Sequence, residues 1–445
     1  MNPFIPFKCL LTLGMLAMLS SGAQSRSLTA NDTLRLSLQE ALDLAVKNSF
    51  ELEIAKNQVD ANTILNNYGV AGGLPSVNGS LTNTEQITNL NQKLNNGTEI
   101  NRKGATVNNT QASISAGLLL YNGQRVVATK KRLEQIQLQS EASLRATLQN
   151  TLGAVSASYY DVVRQRSYIN TIKTSIAASE KRLEILKARK EAGMANNADI
   201  FQAEIDLNTL IQTLMEQEMV ERTSKVQLQY LLATETPIEI SLMDSIRVEP
   251  SFSLDDVLAG IQESADFQVA DRQIRINELL VRETAAQRYP TVRLNLGYNY
   301  SRNQSTAGFT LLNQTVGPNA NVSVSIPIYN GGLFRRQQQV AEINVKNAKA
   351  QKNIIARDYS SDAIRLFETF NSTLEQIEVQ RKNYDLSRQL LDLTLMRFEL
   401  IQATIIDVRE AQKSFEDAGY KLVNLSYAAK SAEIELKRLS NKLFL

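Results

Sequence analysis

The segment Tyr121-Asn122-Gly123 returns as Tyr329-Asn330-Gly331, 208 positions further along the chain. Each copy stands between a stretch that alternates apolar and polar residues and a long segment with helical spacing. Because the same signals occur in the same order around both copies, the sequence carries one pattern twice. We therefore predict an internal duplication in which each half folds as helix, strand, loop, strand, long helix and further helix.

Two earlier segments also recur. Leu38–Leu42 is echoed by Leu254–Leu258, and Leu74–Val77 is echoed by Tyr289–Val292. The offset is 216 positions at the first pair, 215 at the second and 208 from the Tyr-Asn-Gly motif onward. The loss of seven falls between the two strand signals, so we expect a longer loop in the first half. The predicted organisation is a signal peptide at 1–23, a first repeat at 24–233, a linker or equatorial segment at 234–253, and a second repeat at 254–445.

The strand predictions rest on alternation. From Val292 to Tyr300, apolar residues occupy one face, whereas Arg293, Asn295 and Asn299 occupy the other. Residues 322–328 and 114–120 repeat this pattern, and a weaker version begins at 77. The stretches 83–111 and 303–319 are crowded with Asn, Thr, Gly and Gln, so we predict polar loops there.

The helical segments are long and almost free of breakers. Residues 334–401 contain no proline or glycine, and a helix of that length would extend roughly 100 Å. Apolar residues recur every seven positions in both halves, which predicts coiled-coil packing seams. These residues are Ile169, Ile176, Leu183, Phe370, Ile377, Tyr384, Leu391 and Phe398.

Composition excludes several classes of function. Lys and Arg total 48 against 46 for Asp and Glu, so charge gives no reason to expect nucleic acid as a partner. Histidine is absent and Cys9 is the only cysteine, which removes zinc clusters, histidine triads and cysteine nucleophiles. We find neither a nucleophile–base pair nor a phosphate loop, and we expect no enzyme, no metal and no cofactor.

The first residues have the form of an export signal. Lys8 precedes the apolar run Cys9–Leu19, and Ser21-Gly22-Ala23 supplies small residues for cleavage. The mature chain would then lack cysteine and carry no acyl anchor. No later apolar run reaches about 18 residues, so a membrane crossing would have to be made by β-strands.

Four strands cannot close a membrane barrel, because the smallest such barrels need about eight. Three copies would supply 12 strands, and their helices would continue the wall beyond the membrane. Association of copies is therefore required, and the geometry indicates a tube. Tyr121, Tyr289 and Tyr329 at strand ends fit a girdle of membrane-interface aromatics. Tyr-Asn-Gly equally fits a turn between strand and helix.

The Leu-rich opening with Ala41, Leu42, Ala45 and Asn48, the paired Tyr-Asn-Gly corners and the repeated aspartate turns resemble the TolC-type outer membrane efflux protein family. The resemblance covers nearly the whole mature chain. It implies an α+β membrane protein: a homotrimer whose 12-stranded β-barrel, four strands per chain, lies in the lipid of the Gram-negative outer membrane. A long α-helical coiled-coil tunnel continues the barrel into the periplasm. It further implies docking to a periplasmic adaptor and an inner-membrane pump, as the exit duct of a tripartite efflux pump or type I secretion system. A periplasmic coiled-coil adaptor or structural protein is the alternative.

The same resemblance identifies 189–202 and 397–412 as the periplasmic tip. Asp199, Asp407 and Glu410 are then entrance candidates, since rings of carboxylates favour cations. The spacing of Asp199 to Gln202 and of Asp407 to Glu410 also fits a helix capping box, and both roles can hold together.

The second tip departs from the family pattern. Ile401 stands where the family commonly has glycine, and Phe398 and Ala403 stand where some relatives carry the tyrosine and arginine of a closing network. We hypothesise that apolar packing by Phe398 and Ile401 replaces that network.

Overall fold

A computed structural model describes residues 34–234, 239–249 and 252–443. The predicted signal peptide, with Cys9, lies outside these residues. Within them, no helix has both the length and the apolar character that a membrane-spanning helix requires. The division into repeats and linker remains a prediction.

Two halves of the chain have the same order of elements. The first half contains β1 (Leu34–Leu36), α1 (Leu38–Asn48), α2 (Phe50–Leu65), β2 (Ser76–Lys93), β3 (Glu99–Tyr121), α3 (Arg125–Glu191) and α4 (Asn197–Leu232). The second contains β4 (Ile240–Leu242), α5 (Leu254–Gln262), α6 (Ala265–Ala286), β5 (Thr291–Ser305), β6 (Leu312–Ser325), α7 (Leu333–Glu399) and α8 (Ile405–Leu439). Helices α3 and α7 are both 67 residues long, and α7 agrees with the length expected from the run 334–401.

The four long strands form one antiparallel sheet in the order β2-β3-β5-β6. The strands extend far into the predicted loops, so the loop predictions at 83–111 and 303–319 are wrong. Only 94–98 and 306–311 separate the paired strands. The extra residues of the first half therefore lie in strands rather than in a longer loop.

The loop predictions failed because strands can pair through their backbones without apolar side chains. Beyond Asn83 the first hairpin is mostly polar, with only scattered apolar residues such as Ile87 and Ile100, yet its ladder continues to the pair Lys93–Glu99. Each paired amide satisfies its hydrogen bond regardless of side-chain polarity. In the other direction, β6 ends at Ser325, so the prediction that alternation continues in strand form to Ile328 is wrong.

The long helices pack side by side. Helix α3 contacts both α4 and α8, and α7 packs along α8, which gives the order α4-α3-α8-α7. The predicted seven-residue seam of α7 is confirmed, since Phe370, Ile377, Leu391 and Phe398 are buried. Helices α4 and α7 form the two edges of this layer.

A smaller layer surrounds the middle of α3. Strand β4, from the predicted equatorial segment, pairs in parallel with β1. The Tyr159 hydroxyl lies 2.6 Å from Asp244 Oδ2 and 2.9 Å from the Leu36 carbonyl oxygen, and its single proton is shared between these two acceptors. Burial, reinforced by Asp244, raises the pKa of Tyr159, so this hydroxyl keeps its proton and ties the layer to α3.

Candidate functional site

The two helical tips share one backbone design. The α3–α4 tip turns through Gly193 (φ 76°), and the α7–α8 tip turns through Ile401 (φ 63°). Helix α4 then begins at the cap Asn196, whose side chain accepts from the Asp199 amide at 2.8 Å. Helix α8 begins at the cap Thr404, which forms a capping box with Asp407. The tips lie within the predicted ranges 189–202 and 397–412.

Both helices begin with a side-chain cap, as predicted, but the capping residues are not the predicted aspartates. Asp199 and Asp407 are the third residues of their helices, not the caps, because Asn196 and Thr404 already offer better-placed side-chain oxygens. The Thr404 amide donates to Asp407 Oδ2 at 2.7 Å. This bond and that of the Thr404 hydroxyl hold the pKa of Asp407 below its ordinary value.

Gln202 and Glu410, which the capping-box spacing links to these aspartates, do not cap the helices. Gln202 donates to Asp206 at 2.8 Å, and Glu410 lines a groove between α4 and α8. Asp407 and Glu410 are exposed, whereas Asp199 is half-buried. The three entrance candidates thus lie at the tips, and Asp407 and Glu410 are exposed there, although the Asp407 carboxylate also accepts the hydrogen bonds from Thr404.

The structure separates Phe398 from Ile401. Phe398 is 1% exposed and packs inside the protomer with Leu391 and Val408. The Arg189 guanidinium covers its ring at 4.1 Å. Ile401 is 62% exposed. The joint apolar closing contact stays a prediction; within one chain the Phe398 ring packs in a cluster formed by α3, α4, α7 and α8, whereas Ile401 faces solvent.

An ion cluster near the tips was missed by sequence reasoning. The side chain of Arg182 is 1% exposed, and its Nη2 lies 2.9 Å from Asp206 Oδ2. Arg409 Nε approaches the same oxygen at 3.3 Å. The cluster joins α3, α4 and α8 beside a groove of about 630 Å³. Burial lowers the pKa of Arg182, and Asp206 opposes that effect. No spacing in the sequence marks these residues, since they come from three helices.

The three tyrosines occupy different positions relative to the strands. Tyr121 ends β3 and pairs with Val292, whereas Tyr289 lies two residues before β5 and contacts the backbone of Gly123. Tyr329 lies four residues beyond β6 and is 89% exposed. The prediction that Tyr329 closes a strand is wrong. The turn interpretation fits both corners, because Gly123 and Gly331 each have φ 67°.

The sheet has two contrasting faces. On one face, Ile114 lies opposite Tyr298 and Val292 opposite Val324. On the other, side-chain amides and hydroxyls bond across strands in the pairs Ser80–Ser113 (2.8 Å), Asn295–Asn321 (2.9 Å) and Asn299–Asn319 (2.8 Å). We call these the apolar face and the polar face. Such a division suits a wall with lipid on one side and water on the other.

A family model described as "Outer membrane efflux protein" matches residues 16–234 and 260–442. The chain belongs to the outer membrane efflux protein family. It is 22% identical over 298 residues to outer membrane protein TolC of Vibrio cholerae, covering 65% of this chain and 67% of that protein. It is 21% identical over 337 residues to outer membrane efflux protein BepC of Brucella suis, covering 74% and 72%.

Solved structures share the fold. The outer-membrane channel OprN matches with a TM-score of 0.76 at 12% identity, covering 91% of this chain and 90% of that one. The Campylobacter jejuni CmeC outer membrane channel matches with a TM-score of 0.75 at 14% identity, covering 92% and 86%. The chain is thus a non-enzymatic channel of the Gram-negative outer membrane, the exit duct of an efflux or secretion system. This confirms the predicted function and location and removes the adaptor alternative.

Proposed function

We propose that three copies of this chain close into a channel-tunnel, with a 12-stranded β-barrel in the outer membrane and a helical tunnel in the periplasm. The observation that carries the proposal is a matching pair of unpartnered edges. The sheet has free edges at β2 and β6, and the helical layer has free edges at α4 and α7. A trimer satisfies all of them by pairing each edge with the next copy.

The duplication predicts how the strand edges meet. Strand β6 corresponds to β3 at an offset of 208, and β5 corresponds to β2 at an offset of 215. The pair Gly117–Asn295 within one chain then corresponds to Ser325 opposite Ser80 of the next copy. Likewise, Ala116–Leu296 corresponds to Val324 opposite Leu81. Polar side chains meet on the polar face and apolar ones on the apolar face, which is the pattern that a continuous barrel wall in lipid requires.

The helical edges carry apolar stripes that have no partner within the described part of the chain. Val379, Leu386 and Leu393 recur every seven residues along α7, and each is more than half exposed. Phe201 and Ile205 are similarly exposed on α4. Exposed stripes of this kind mark association surfaces.

The same duplication predicts which residues meet across these edges. Arg182 on α3 and Arg409 on α8, which share Asp206, correspond at 208 positions to Leu390 and Phe201. Leu390 of one copy should therefore contact Phe201 of the next. At the interface between two copies, the apolar Leu390 and Phe201 thus stand where Arg182 and Arg409 of the ion cluster stand within one chain.

Cysteine pairs test this assembly, because the predicted mature chain has no cysteine of its own. Oxidation of the double variants Ser80→Cys/Ser325→Cys and Phe201→Cys/Leu390→Cys should yield covalent dimers and trimers on denaturing gels. The control Ser80→Cys/Asn321→Cys, four residues out of register, should remain monomeric under the same conditions. Monomers from both test pairs would contradict the trimer.

We further propose that the tips dock onto a periplasmic adaptor linked to an inner-membrane pump. Met194, Leu400 and Ile401 are exposed apolar residues at the turns, which suits an end-to-end contact. Ile401→Asp should abolish export by whole cells while leaving trimer yield unchanged. Unimpaired export would count against docking at this tip.

The exposed carboxylates of Asp407 and Glu410 support an acidic entrance, with the half-buried Asp199 nearby. Replacing Asp407 and Glu410 by Asn and Gln should weaken block of the channel by multivalent cations applied from the tip side. Unchanged block would reject an entrance role for these residues.

A further inference from the structure

Arg293 is an isolated charge on the polar face. Where all four strands run side by side, the polar face holds no other Asp, Glu, Lys or Arg among the described residues. It is otherwise built largely from small and amide side chains: Ser80, Thr82, Thr84, Asn109, Gln111, Ser113, Ser115, Asn295, Asn299, Ser301, Asn319, Asn321 and Ser323. A single cation on this lining therefore dominates its electrostatic potential.

Arg293 lies at a defined level along the strands of the sheet. It is the third residue of β5, at the end of the sheet that joins the helices. Its neighbours across the strands are Leu119 and Ser323, so no carboxylate lies opposite. The side chain is exposed, and its guanidinium has no ion pair within the described part of the chain. The charge is thus presented uncompensated to whatever the polar face contacts.

We propose that Arg293 is a selectivity-determining residue of the pore, and that it favours the passage of anionic solutes. This rests on the proposed trimer, in which the polar face lines the lumen and three Arg293 side chains form a ring at the junction of barrel and tunnel. The counterpart of Arg293 in β2, at the offset of 215, is Asn78, so the ring holds three charges rather than six. Rings of Arg or Lys select for anions in pores.

This ring is separate from the acidic entrance. Helix α3, which spans much of the distance between the sheet and the tip, is 67 residues long, or roughly 100 Å. That is about ten times the Debye length of roughly 10 Å at 0.1 M salt. The two zones therefore act independently, so the sign of the charge at position 293 should alter selectivity even when the entrance carboxylates are intact.

The test measures reversal potentials of the full-length protein in planar bilayers under a potassium chloride gradient. Arg293→Gln should lower the chloride-to-potassium permeability ratio several-fold, and Arg293→Glu should lower it further. Asn78→Arg, which adds a second ring of three cations, should raise the ratio. Asn78→Gln is the uncharged control and should match the unmodified protein. The differences should shrink in 1 M salt, where the Debye length falls to about 3 Å.

A second measurement checks the lumenal position directly. Arg293→Cys should react rapidly with a membrane-impermeant anionic thiol reagent, whereas Leu294→Cys, on the apolar face, should not. Equal permeability ratios in Arg293→Glu, Asn78→Arg and the unmodified channel would overturn the inference and leave the trimeric channel standing. Failure of the unmodified protein to conduct would overturn the trimeric channel and this inference together.

Discussion

Ile401 occupies the same left-handed backbone position at the second helical tip as Gly193 does at the first. The two residues are 208 positions apart, with φ of 63° and 76°. In both tips the following amide reaches back to the helix at 2.8 Å, from Met194 to the Arg189 carbonyl and from Gln402 to the Arg397 carbonyl. A β-branched residue thus adopts a conformation that glycine enters at little cost.

Ile401→Gly should stabilise the protein. The left-handed conformation destabilises the folded state by roughly 1–3 kcal/mol when the residue is β-branched. Glycine removes this strain but also raises the entropy of the unfolded chain, which lowers stability by about 0.5–1 kcal/mol. We expect a net gain of about 1 kcal/mol, measured by denaturant unfolding followed through helical circular dichroism.

The matched variant Gly193→Ile should lose stability by a similar amount, because no atom lies within 4 Å of a Cβ added there and only backbone strain changes. Leu400→Gly, one residue before the strained position and with φ −81°, should destabilise the protein. A loss of stability in Ile401→Gly would show that Ile401 makes contacts that outweigh its strain.

Asp206→Asn should destabilise the tunnel near its tip. The change leaves the buried Arg182 guanidinium without the carboxylate that it contacts at 2.9 Å, and removing one partner of a buried ion pair costs about 3 kcal/mol. Arg182→Met should cost less, because Asp206 then keeps Arg409 at 3.3 Å. Urea unfolding of the detergent-solubilised variants measures both effects.

Glu378→Gln provides the comparison for a pair in water. Its contact with Lys382 at 3.3 Å is largely exposed on α7, so the variant should change stability by less than about 0.5 kcal/mol. An equally small loss of stability in Asp206→Asn would mean that water reaches the Arg182 guanidinium.

Acid should loosen the start of α8. Hydrogen bonds from Thr404 hold the pKa of Asp407 below 3.8, so the ionised carboxylate stabilises the folded state. That contribution is fully present above pH 3.8 and is lost as the pH falls through the lowered value. The difference in melting temperature between the unmodified protein and Asp407→Asn should therefore be constant near neutrality and vanish in acid.

Thr404→Val removes the hydroxyl that donates to Asp407 at 2.8 Å. The melting temperature of this variant should therefore depend on pH less than that of the unmodified protein, but more than that of Asp407→Asn. A difference in melting temperature that persists at low pH would assign the effect of Asp407→Asn to something other than its charge.

The sequence predicted the helices well, because their determinants are local. A long run without proline or glycine and a seven-residue apolar period are enough to identify α7 and to pick out buried residues such as Phe370 and Ile377. The same period marks α3, although Gly153 lies within that helix. The strand limits were harder. Thr84 and Asn109 pair across the first hairpin although their polarity is typical of loops, because strand pairing is set by backbone hydrogen bonds.

The candidate site was predicted only in part, for a related reason. The tips were located from the resemblance to the family, in which the repeated Asp199 and Asp407 mark the turns. The burial of Phe398 under Arg189 and the sharing of Asp206 by two arginines depend on how separate helices pack. Helical periodicity fixes which face of a helix a residue occupies, but not which helix lies opposite.

Gly331→Ala should impair assembly without impairing folding of the chain. At the equivalent Gly123, an added Cβ would lie 2.6 Å from the Tyr289 Cβ and 2.8 Å from the Ala286 carbonyl oxygen. At Gly331, no described residue of the same chain has an atom within 4 Å of an added Cβ. The counterparts of Tyr289 and Ala286 at the offset of 215 are Leu74 and Ala71. In the proposed trimer, Gly331 therefore packs against these two residues of the next copy.

Light scattering of the detergent-solubilised variants measures this difference. Gly331→Ala should reduce the trimer fraction while helical circular dichroism stays unchanged, and Gly123→Ala should instead destabilise the chain by about 1–3 kcal/mol through overpacking. Gly193→Ala, also at positive φ (76°) but in open space at the tip, controls for backbone strain and should leave the trimer fraction intact. A full trimer yield from Gly331→Ala would mean that the β6 edge meets the next copy in a different register from that of β3 with β5.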